Sequence, residues 1–417
     1  MLVLDLMYII LLVISFPYWI HYLFKADYRK HFRLRISPRL CQRVEKTVWV
    51  HAVSVGEVKS LKGLIQNLVQ VQKKNVILSV STPSGFEFAK RELAIVEVIP
   101  APFDASFIIR RFIRLIQPEI VIFNELELWP NWLFQLHRQR IPILLINGRI
   151  SEGAFQWYLF FSFFIGRFVS LIDFLVVQSE IYKERFLRLK IAEDKIAVCG
   201  NIKADEAYDN LHALPAEREI FAHLSIKRSE KKILTLASSH FQDERVLLEA
   251  IDRLVDDYFI ILVPRHPKRA GGIGLQLKKR SISYRLFSKS ALDPLESKVL
   301  IFDEIGYLFP IMAISDIVIM GGTYQRKIGG HNLYEPAILG KLIVGGRYYH
   351  NFQDIGHALE EAGVYRRADT ANELIMLLNH IDRVDFAKVR EDAYQNVLKR
   401  RGSVPCSLQH IQKYLSR

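Results

Sequence analysis

Several turns in this chain carry side chains able to do chemistry, and each directly follows an apolar run. The first, His51-Ala52-Val53-Ser54-Val55-Gly56-Glu57, passes from a strand-like run through a Ser/Gly turn to a carboxylate in the opening turn of a helix. A glutamate so placed is either a partner of the helix dipole or a general base at the edge of a cleft. Further turns of this kind are Thr82-Pro83-Ser84-Gly85, then Asn124-Glu125-Leu126-Glu127-Leu128-Trp129-Pro130-Asn131, then Asn147-Gly148-Arg149-Ile150-Ser151.

In the second half, Ser238-Ser239-His240 and Pro264-Arg265-His266-Pro267 occupy equivalent positions. The most informative turn is Gly321-Gly322-Thr323, which leads into Gly329-Gly330-His331-Asn332-Leu333-Tyr334-Glu335-Pro336. Glycines let backbone approach a ligand closely, and a helix opening near Asn332 would turn its free amides toward a phosphate. Glu335, one turn in, is placed to accept hydrogen bonds from ribose hydroxyls.

The elements that must hold these turns are short apolar strands alternating with helix-length segments. TVWVHAV at 47–53, VILSVS at 76–81, IVIF at 120–123, ILLI at 143–146 and FLVVQ at 174–178 form one series. ILTLA at 233–237, FIILV at 259–263, VLIF at 299–302, IVIM at 317–320 and LIV at 342–344 form a second, after the polar stretch 205–230. Continuous apolar strands separated by helices imply parallel sheets covered on both faces, hence an α/β protein with two doubly wound, Rossmann-like domains facing a cleft. Ligands in such folds sit beyond the carboxyl ends of the strands, where the polar turns fall.

The 417 residues suffice for two such domains, and 50% hydrophobic with 24% charged residues excludes a disordered or fibrous chain. Lys and Arg exceed Asp and Glu by 57 to 44, an excess that attracts phosphates of nucleic acid, nucleotide-linked substrates or anionic lipid. No nucleic-acid reading module accompanies the charge, so no nucleic-acid partner is expected. Cys41, Cys199 and Cys406 are distant and odd in number, with no C-x-x-C spacing, so neither a disulfide nor a zinc site is expected, and a reducing compartment is. No D-x-D motif stands at a strand end, and neither metal nor cofactor is expected.

Residues 6–24, LMYIILLVISFPYWIHYLF, contain no full charge and are long enough to cross about 30 Å of hydrocarbon. Lys25, Arg29, Lys30, Arg33, Arg35 and Arg39 follow, which by the positive-inside rule leaves the bulk of the chain in the cytoplasm. The alternative is a buried core helix with a solvated basic turn. The aromatic stretch FQWYLFFSFFIGRF at 155–168 is expected either as a buried helix or as a face that dips into a bilayer.

Taken together, HAVSVGE at 51–57, TPSG at 82–85, ELELWPN at 125–131, NGRIS at 147–151, QS at 178–179, GNIKAD at 200–205, PRHPKR at 264–269, GGHNLYEPA at 329–337 and NFQDI at 351–355 resemble the 3-deoxy-D-manno-octulosonic acid (Kdo) transferase family. Leu126 stands where the family tends to have Thr, and the stretch between Gly322 and Gly329 is about a residue longer than is common. The resemblance implies a metal-independent, inverting glycosyltransferase of the GT-B fold, at the cytoplasmic face of the inner membrane. It would move Kdo from CMP-Kdo to a lipid A precursor in lipopolysaccharide assembly.

The organisation then expected is an anchor over 1–25, a basic juxtamembrane segment over 26–45, an acceptor-binding domain over 46–210, a linker over 211–230, a CMP-Kdo-binding domain over 231–395 and a helical tail over 396–417. Glu57 matches the family's general base. Arg265, His266, Gly321, Gly322, Gly329, Gly330, His331, Asn332 and Glu335 are the expected donor-binding residues. Arg149, Lys203 and Ser54 are candidates for the sugar carboxylate or an acceptor phosphate. A GT-B nucleotide-sugar epimerase is the alternative that shares the fold, and a basic nucleic-acid-binding protein is the alternative from another class.

Overall fold

Each apolar run becomes a strand buried on both faces, which is why the runs carry no alternating polar side. The computed structural model describes residues 5, 8, 10, 13, 14, 26–40, 46–224, 226, 230–289 and 297–415. Its first sheet is built from β1 (Thr47–Ala52), β2 (Asn75–Val80), β3 (Glu97–Pro100), β4 (Pro118–Asn124), β5 (Ile143–Gly148), β6 (Phe174–Val177) and β7 (Ile196–Val198). They lie parallel in the order β3-β2-β1-β4-β5-β6-β7. The second sheet contains β8 (Lys232–Ser239), β9 (Tyr258–Pro264), β10 (Tyr284–Leu286), β11 (Val299–Ile301), β12 (Ile317–Met320), β13 (Leu342–Gly345) and β14 (Tyr365–Arg367), parallel in the order β10-β11-β9-β8-β12-β13-β14. The strand order reverses between β1 and β4 in one sheet and between β8 and β12 in the other. These are the points at which such sheets hold ligands.

Alternate residues of β1 face opposite layers, as the two-residue period of a strand requires. Val48, Val50 and Ala52 pack with Leu61, Leu64 and Ile65 of helix Val55–Gln66, whereas Trp49 packs with Phe112 and Trp132. The Trp49 and Trp132 ring centroids are 4.7 Å apart. His51 is wholly buried within β1, and its Nδ1 bonds the Ser79 hydroxyl at 2.9 Å. Burial pushes its pKa down to about 3, so this histidine is a neutral core residue.

The chain divides into two units, 1–206 with 401–417, and 207–400. The tail expected over 396–417 thus contributes helix Ser403–Leu415 to the first unit, where Leu408 and Ile411 join the core layer of Val50 and Leu61. Asp205 holds it there, accepting the Gly402 and Val404 amides at 2.8 and 2.7 Å. The stretch 211–230 is polar in composition, yet its helix Glu217–His223 places Ile220 in the second unit's core, together with Leu224 and Ile226. One residue in four suffices to seat a helix face, so polarity alone does not mark a linker here.

The expectation of no disulfide is corrected: Cys199 and Cys406, 207 residues apart, are joined, with Cα atoms 5.7 Å apart. Sequence spacing could not reveal the pair, because it arises only when the terminal helix docks beside β7. Cys41 lies outside the described residues. So does most of the anchor expected at 6–24; among the described residues no helix is long and apolar enough to cross a membrane. Just before that stretch, Asp5 accepts both the amide and the hydroxyl of Ser106, at 2.8 and 2.6 Å. In the basic segment that follows, Arg35 donates to the Ala101 carbonyl at 2.9 Å and lies 4.1 Å over the Phe103 ring.

Candidate functional site

In the first unit the site is assembled on the two turns flanking the strand-order reversal. Helix Val55–Gln66 begins directly after β1, and Glu57 sits in its first turn. Its Oε2 accepts the Val53 amide at 3.0 Å and the Asn124 side-chain amide at 3.3 Å, and its Oε1 accepts the Ser54 hydroxyl at 3.2 Å. Glu57 thus caps the chain entering its helix and stands as a carboxylate at the carboxyl end of the sheet. Ser54, a candidate anion ligand, directs its hydroxyl to this carboxylate.

Burial, and after it the charge of Glu125, hold the Glu57 carboxyl above the usual carboxylate range in spite of the three donors. Glu127 is pushed up to about 7, by burial first and by Glu57 second. Glu125 adopts a left-handed backbone with φ of +57°, a conformation that side chains other than glycine adopt only under constraint. Its carboxylate takes the Arg149 Nε at 2.8 Å. Burial pulls the Arg149 guanidinium down, but Glu125, with smaller contributions from Tyr182 and Glu57, outweighs it and raises the pKa. Three glutamates and one arginine thus form a single charge cluster at the ends of β1, β4 and β5.

The NGRIS, QS and GNIKAD motifs supply its brace. Asn147, also left-handed with φ of +52°, accepts the Gln178 amide at its backbone oxygen and the Ile202 N–H at its Oδ1, at 3.0 and 3.2 Å. Asn201 donates to Gln178 at 3.1 Å and accepts the Lys203 N–H at 3.1 Å. Lys203 is thereby fixed in the first turn of helix Ile202–His212. The sequence reading missed Asn124 and Glu127 as site residues; both stood in the quoted turn after β4, but only the fold aims them at Glu57.

In the second unit the turns after β8, β9 and β12 converge. Ser238 is left-handed with φ of +53°, and the Gly321 amide donates to the Ala237 carbonyl at 2.8 Å. A Cβ on Gly321 would stand 2.4 Å from the Ser238 oxygen, so only glycine fits. Asp243 ties the turns together, accepting the His240 amide at 2.7 Å and the Gly322 amide at 2.8 Å. Burial first, opposed by these amides, raises its pKa to about 6. The sequence signal for Asp243 was its place three residues after His240, the spacing of a capping box.

His240 and His331 meet Nε2 to Nε2 at 2.8 Å, a bond that requires one of the two nitrogens to be bare. His266 approaches His240 with ring centroids 6.0 Å apart, and exposed Arg265 is fixed through its amide to Ser239. Burial lowers the His240 pKa, and His266 and Arg265 lower it further. The turns thus gather three imidazoles and the Arg265 guanidinium, with Asp243 and Glu244 beside them, a set of N–H donors that an anion can use.

A helix does open near Asn332, as expected, but it spans only Tyr334–Ile338. Gly329 and Gly330 hold φ of +75° and +83° before it, Gly340 holds +66° after it, and Asn332 Oδ1 accepts the Tyr334 amide at 3.1 Å. A helix this short carries a weak dipole, so the anion-binding capacity of the loop rests on the histidines and glycine backbone more than on a helix terminus. Glu335 lies in its first turn. Asn351 of the NFQDI motif holds the loop from below, donating its side-chain amide to the Ile328 carbonyl at 2.6 Å and its backbone amide to Gly329.

The aromatic stretch 155–168 forms two helices, Glu152–Phe160 and Ser162–Val169. Phe155 is buried, but Trp157, Phe160, Phe163 and Phe164 are 66%, 79%, 68% and 61% exposed. A patch of this kind is rare on a surface that meets only water.

Residues 28–206 match the family described as 3-Deoxy-D-manno-octulosonic-acid transferase (kdotransferase). A 3-deoxy-D-manno-octulosonic acid transferase of Chlamydophila psittaci is 30% identical over 339 residues, 80% of this chain and 77% of that one. A bifunctional glycosyltransferase/methyltransferase of Fusobacterium nucleatum is 28% identical over 373 residues; these cover 86% of this chain but only 57% of that relative. Among solved structures, a glycosyltransferase from Rickettsia africae superposes with TM-score 0.62 at 17% identity, covering 89% of this chain and 99% of its own. A UDP-GlcNAc 2-epimerase from Neisseria meningitidis gives 0.63 at 13% identity, covering 88% and 100%. The structural likenesses establish the GT-B type of fold and nothing about substrate. By identity with curated relatives over most of its length, the chain belongs to the 3-deoxy-D-manno-octulosonic acid transferase family of glycosyltransferases.

Proposed function

We propose that this enzyme transfers Kdo from CMP-Kdo to a lipid acceptor of the lipid A precursor type, with Glu57 as general base. Transfer from CMP needs a base for the acceptor hydroxyl, stabilisation of the departing phosphate and a cation for the sugar carboxylate. The observation that carries the reading is the state of Glu57: a partly buried carboxylate of raised pKa, aimed by Asn124, Ser54 and Val53 at the strand-order reversal. A raised pKa makes it a stronger base while it still ionises in the working range. The acceptor hydroxyl attacks the anomeric carbon, the bond from that carbon to the CMP phosphate oxygen breaks, and the hydroxyl proton passes to Glu57.

The second unit's loops are the proposed donor cradle. Gly321, Gly322, Gly329 and Gly330 would let backbone approach the nucleotide, Arg265 would offset the phosphate charge, and His266 and His331 would offer hydrogen bonds to it. Glu335 would accept from the ribose. For the sugar carboxylate the candidates are Arg149, whose guanidinium is held by its ion pair with Glu125 near Glu57, and Lys203 at the start of helix Ile202–His212. The exposed aromatic face and the basic helix Ala26–Ile36 support placing the enzyme at the inner membrane on its cytoplasmic face, where a lipid acceptor resides.

The test is Glu57→Gln, which keeps size and most hydrogen bonding but removes the proton acceptor. With CMP-Kdo and a tetraacyl disaccharide bisphosphate, turnover should fall by about 10² or more while CMP binding persists. Near-normal turnover by the folded variant would remove Glu57 from the base role.

A further inference from the structure

Cys199 follows β7 directly, and Cys406 and His410 stand one turn apart on helix Ser403–Leu415, on the same helix face. The two sulfurs and a ring nitrogen of His410 all lie within 4.8 Å of one another, and none of the three residues is exposed. The His410 ring is stacked on Phe174, with centroids 4.6 Å apart and planes inclined by 20°. Its Nδ1 is buried without a hydrogen-bond partner among the described residues. An oriented imidazole with a bare buried nitrogen, beside two sulfurs, is more than two cysteines need in order to form a disulfide.

We propose that the reduced form of this cluster binds one thiophilic divalent cation of the zinc class, ligated by Cys199 Sγ, Cys406 Sγ and a ring nitrogen of His410. Zinc takes thiolate and imidazole ligands at about 2.3 and 2.0 Å, with a water in the fourth tetrahedral position when the protein supplies three. Two sulfurs on such an ion stand about 3.7 Å apart, which rotation about the Cα–Cβ bonds provides at a Cα separation of 5.7 Å. The disulfide excludes the ion, because only thiolates ligate.

The consequence is a clamp with two chemical forms. Cys199 precedes the helix Ile202–His212 on which the chain leaves the first unit, and Cys406 follows Arg401, where it returns. The Ser403 hydroxyl already bonds the Gly200 carbonyl at 2.9 Å, so disulfide or ion would reinforce a junction that hydrogen bonds have formed.

The test uses the full chain with Cys41→Ser, reduced by a phosphine, freed of reductant without oxygen and titrated with Co²⁺, then Zn²⁺. The expected result is one Co²⁺ per chain, with a thiolate-to-cobalt charge-transfer band and the visible bands of tetrahedral cobalt, both removed by Zn²⁺. The oxidised chain should give no band. Cys199→Ser should roughly halve the charge-transfer intensity, and His410→Ala, with unchanged circular dichroism, should weaken Co²⁺ binding at least tenfold. A reduced chain without the charge-transfer band overturns the proposal, as does a band indifferent to His410→Ala. The readout is independent of Kdo transfer, so failure of either proposal leaves the other standing.

Discussion

Asn124 donates its side-chain amide to the Glu57 carboxylate at 3.3 Å, linking the last residue of β4 to the helix that follows β1. The bond crosses the strand-order reversal, so the Glu57 carboxylate is held from both halves of the sheet. A donor to a carboxylate favours its charged form, and Asn124 is one of the groups that restrain the upward shift caused by burial. Asn124→Ala should therefore raise the Glu57 pKa further. The acid limb of the kcat/KM profile should move to higher pH by up to about one unit, with the alkaline plateau much less affected. A limb that stays in place would mean that another group carries the proton.

Glu127 gives a stability prediction of definite sign. Its folded pKa of about 7 lies above the ordinary 4.5, through burial first and Glu57 second. Its stabilising contribution is thus complete below about 4.5 and is lost as pH rises through about 7. Glu127→Gln removes that loss. After allowance for partial exposure to solvent, about 1 kcal/mol should be regained at pH 8, or roughly 2–4 °C in Tm, with little change at pH 4. Equal Tm shifts at both pH values would mean that Glu127 ionises normally.

The long central strands and their turns were legible in sequence because β1, β4, β5, β8, β9 and β12 are continuous apolar runs ending in polar turns. The edge strands β7, β10 and β14, with three residues each, are too short to show a period. Glu57 was legible as a base candidate from type and place. Glu127 was not, because its pKa depends on burial and on Glu57, which lies 70 positions away in the chain. The start of the helix at Tyr334 was legible from its glycine and Asn signals, whereas its end after five residues depends on Gly340 turning left-handed. The Cys199–Cys406 pair required the terminal helix to cross back, a tertiary event that composition does not encode.

Gly321 is the glycine whose replacement should be least tolerated. A Cβ there meets the Ser238 oxygen at 2.4 Å and the Ala237 oxygen at 2.7 Å, and the Gly321 amide cannot retreat without breaking its bond to Ala237. Gly321→Ala should separate the ends of β8 and β12, costing about 1–3 kcal/mol of stability and weakening CMP binding by roughly tenfold or more. Gly271 is the contrast, since a Cβ there meets nothing within 4 Å and the residue lies in helix Ala270–Lys279. Gly271→Ala should be neutral or stabilise by about 0.5–1 kcal/mol. Calorimetry of CMP binding with thermal melts separates the two; equal behaviour would place the nucleotide away from the Gly321 turn.

The exposed rings of Trp157, Phe160, Phe163 and Phe164 should decide where the enzyme works rather than whether it works. They lie on helices Glu152–Phe160 and Ser162–Val169, held to the core through Phe155 and Val169. Replacing all four by Ser leaves those anchors untouched, so the fold and the Glu57 cluster should persist. Each ring that enters the acyl boundary contributes about 1 kcal/mol or more, so losing four should lower partitioning onto anionic vesicles by at least about 100-fold. Turnover on detergent-dispersed acceptor, which reaches the site by diffusion, should stay within about tenfold of the parent. The part of the remaining binding that comes from the basic residues of helix Ala26–Ile36 should be lost at high salt, because charges are screened where buried apolar groups are not. Unchanged vesicle sedimentation by the fourfold variant would exclude this face as the membrane contact. Loss of turnover in detergent as well would assign it to acceptor binding.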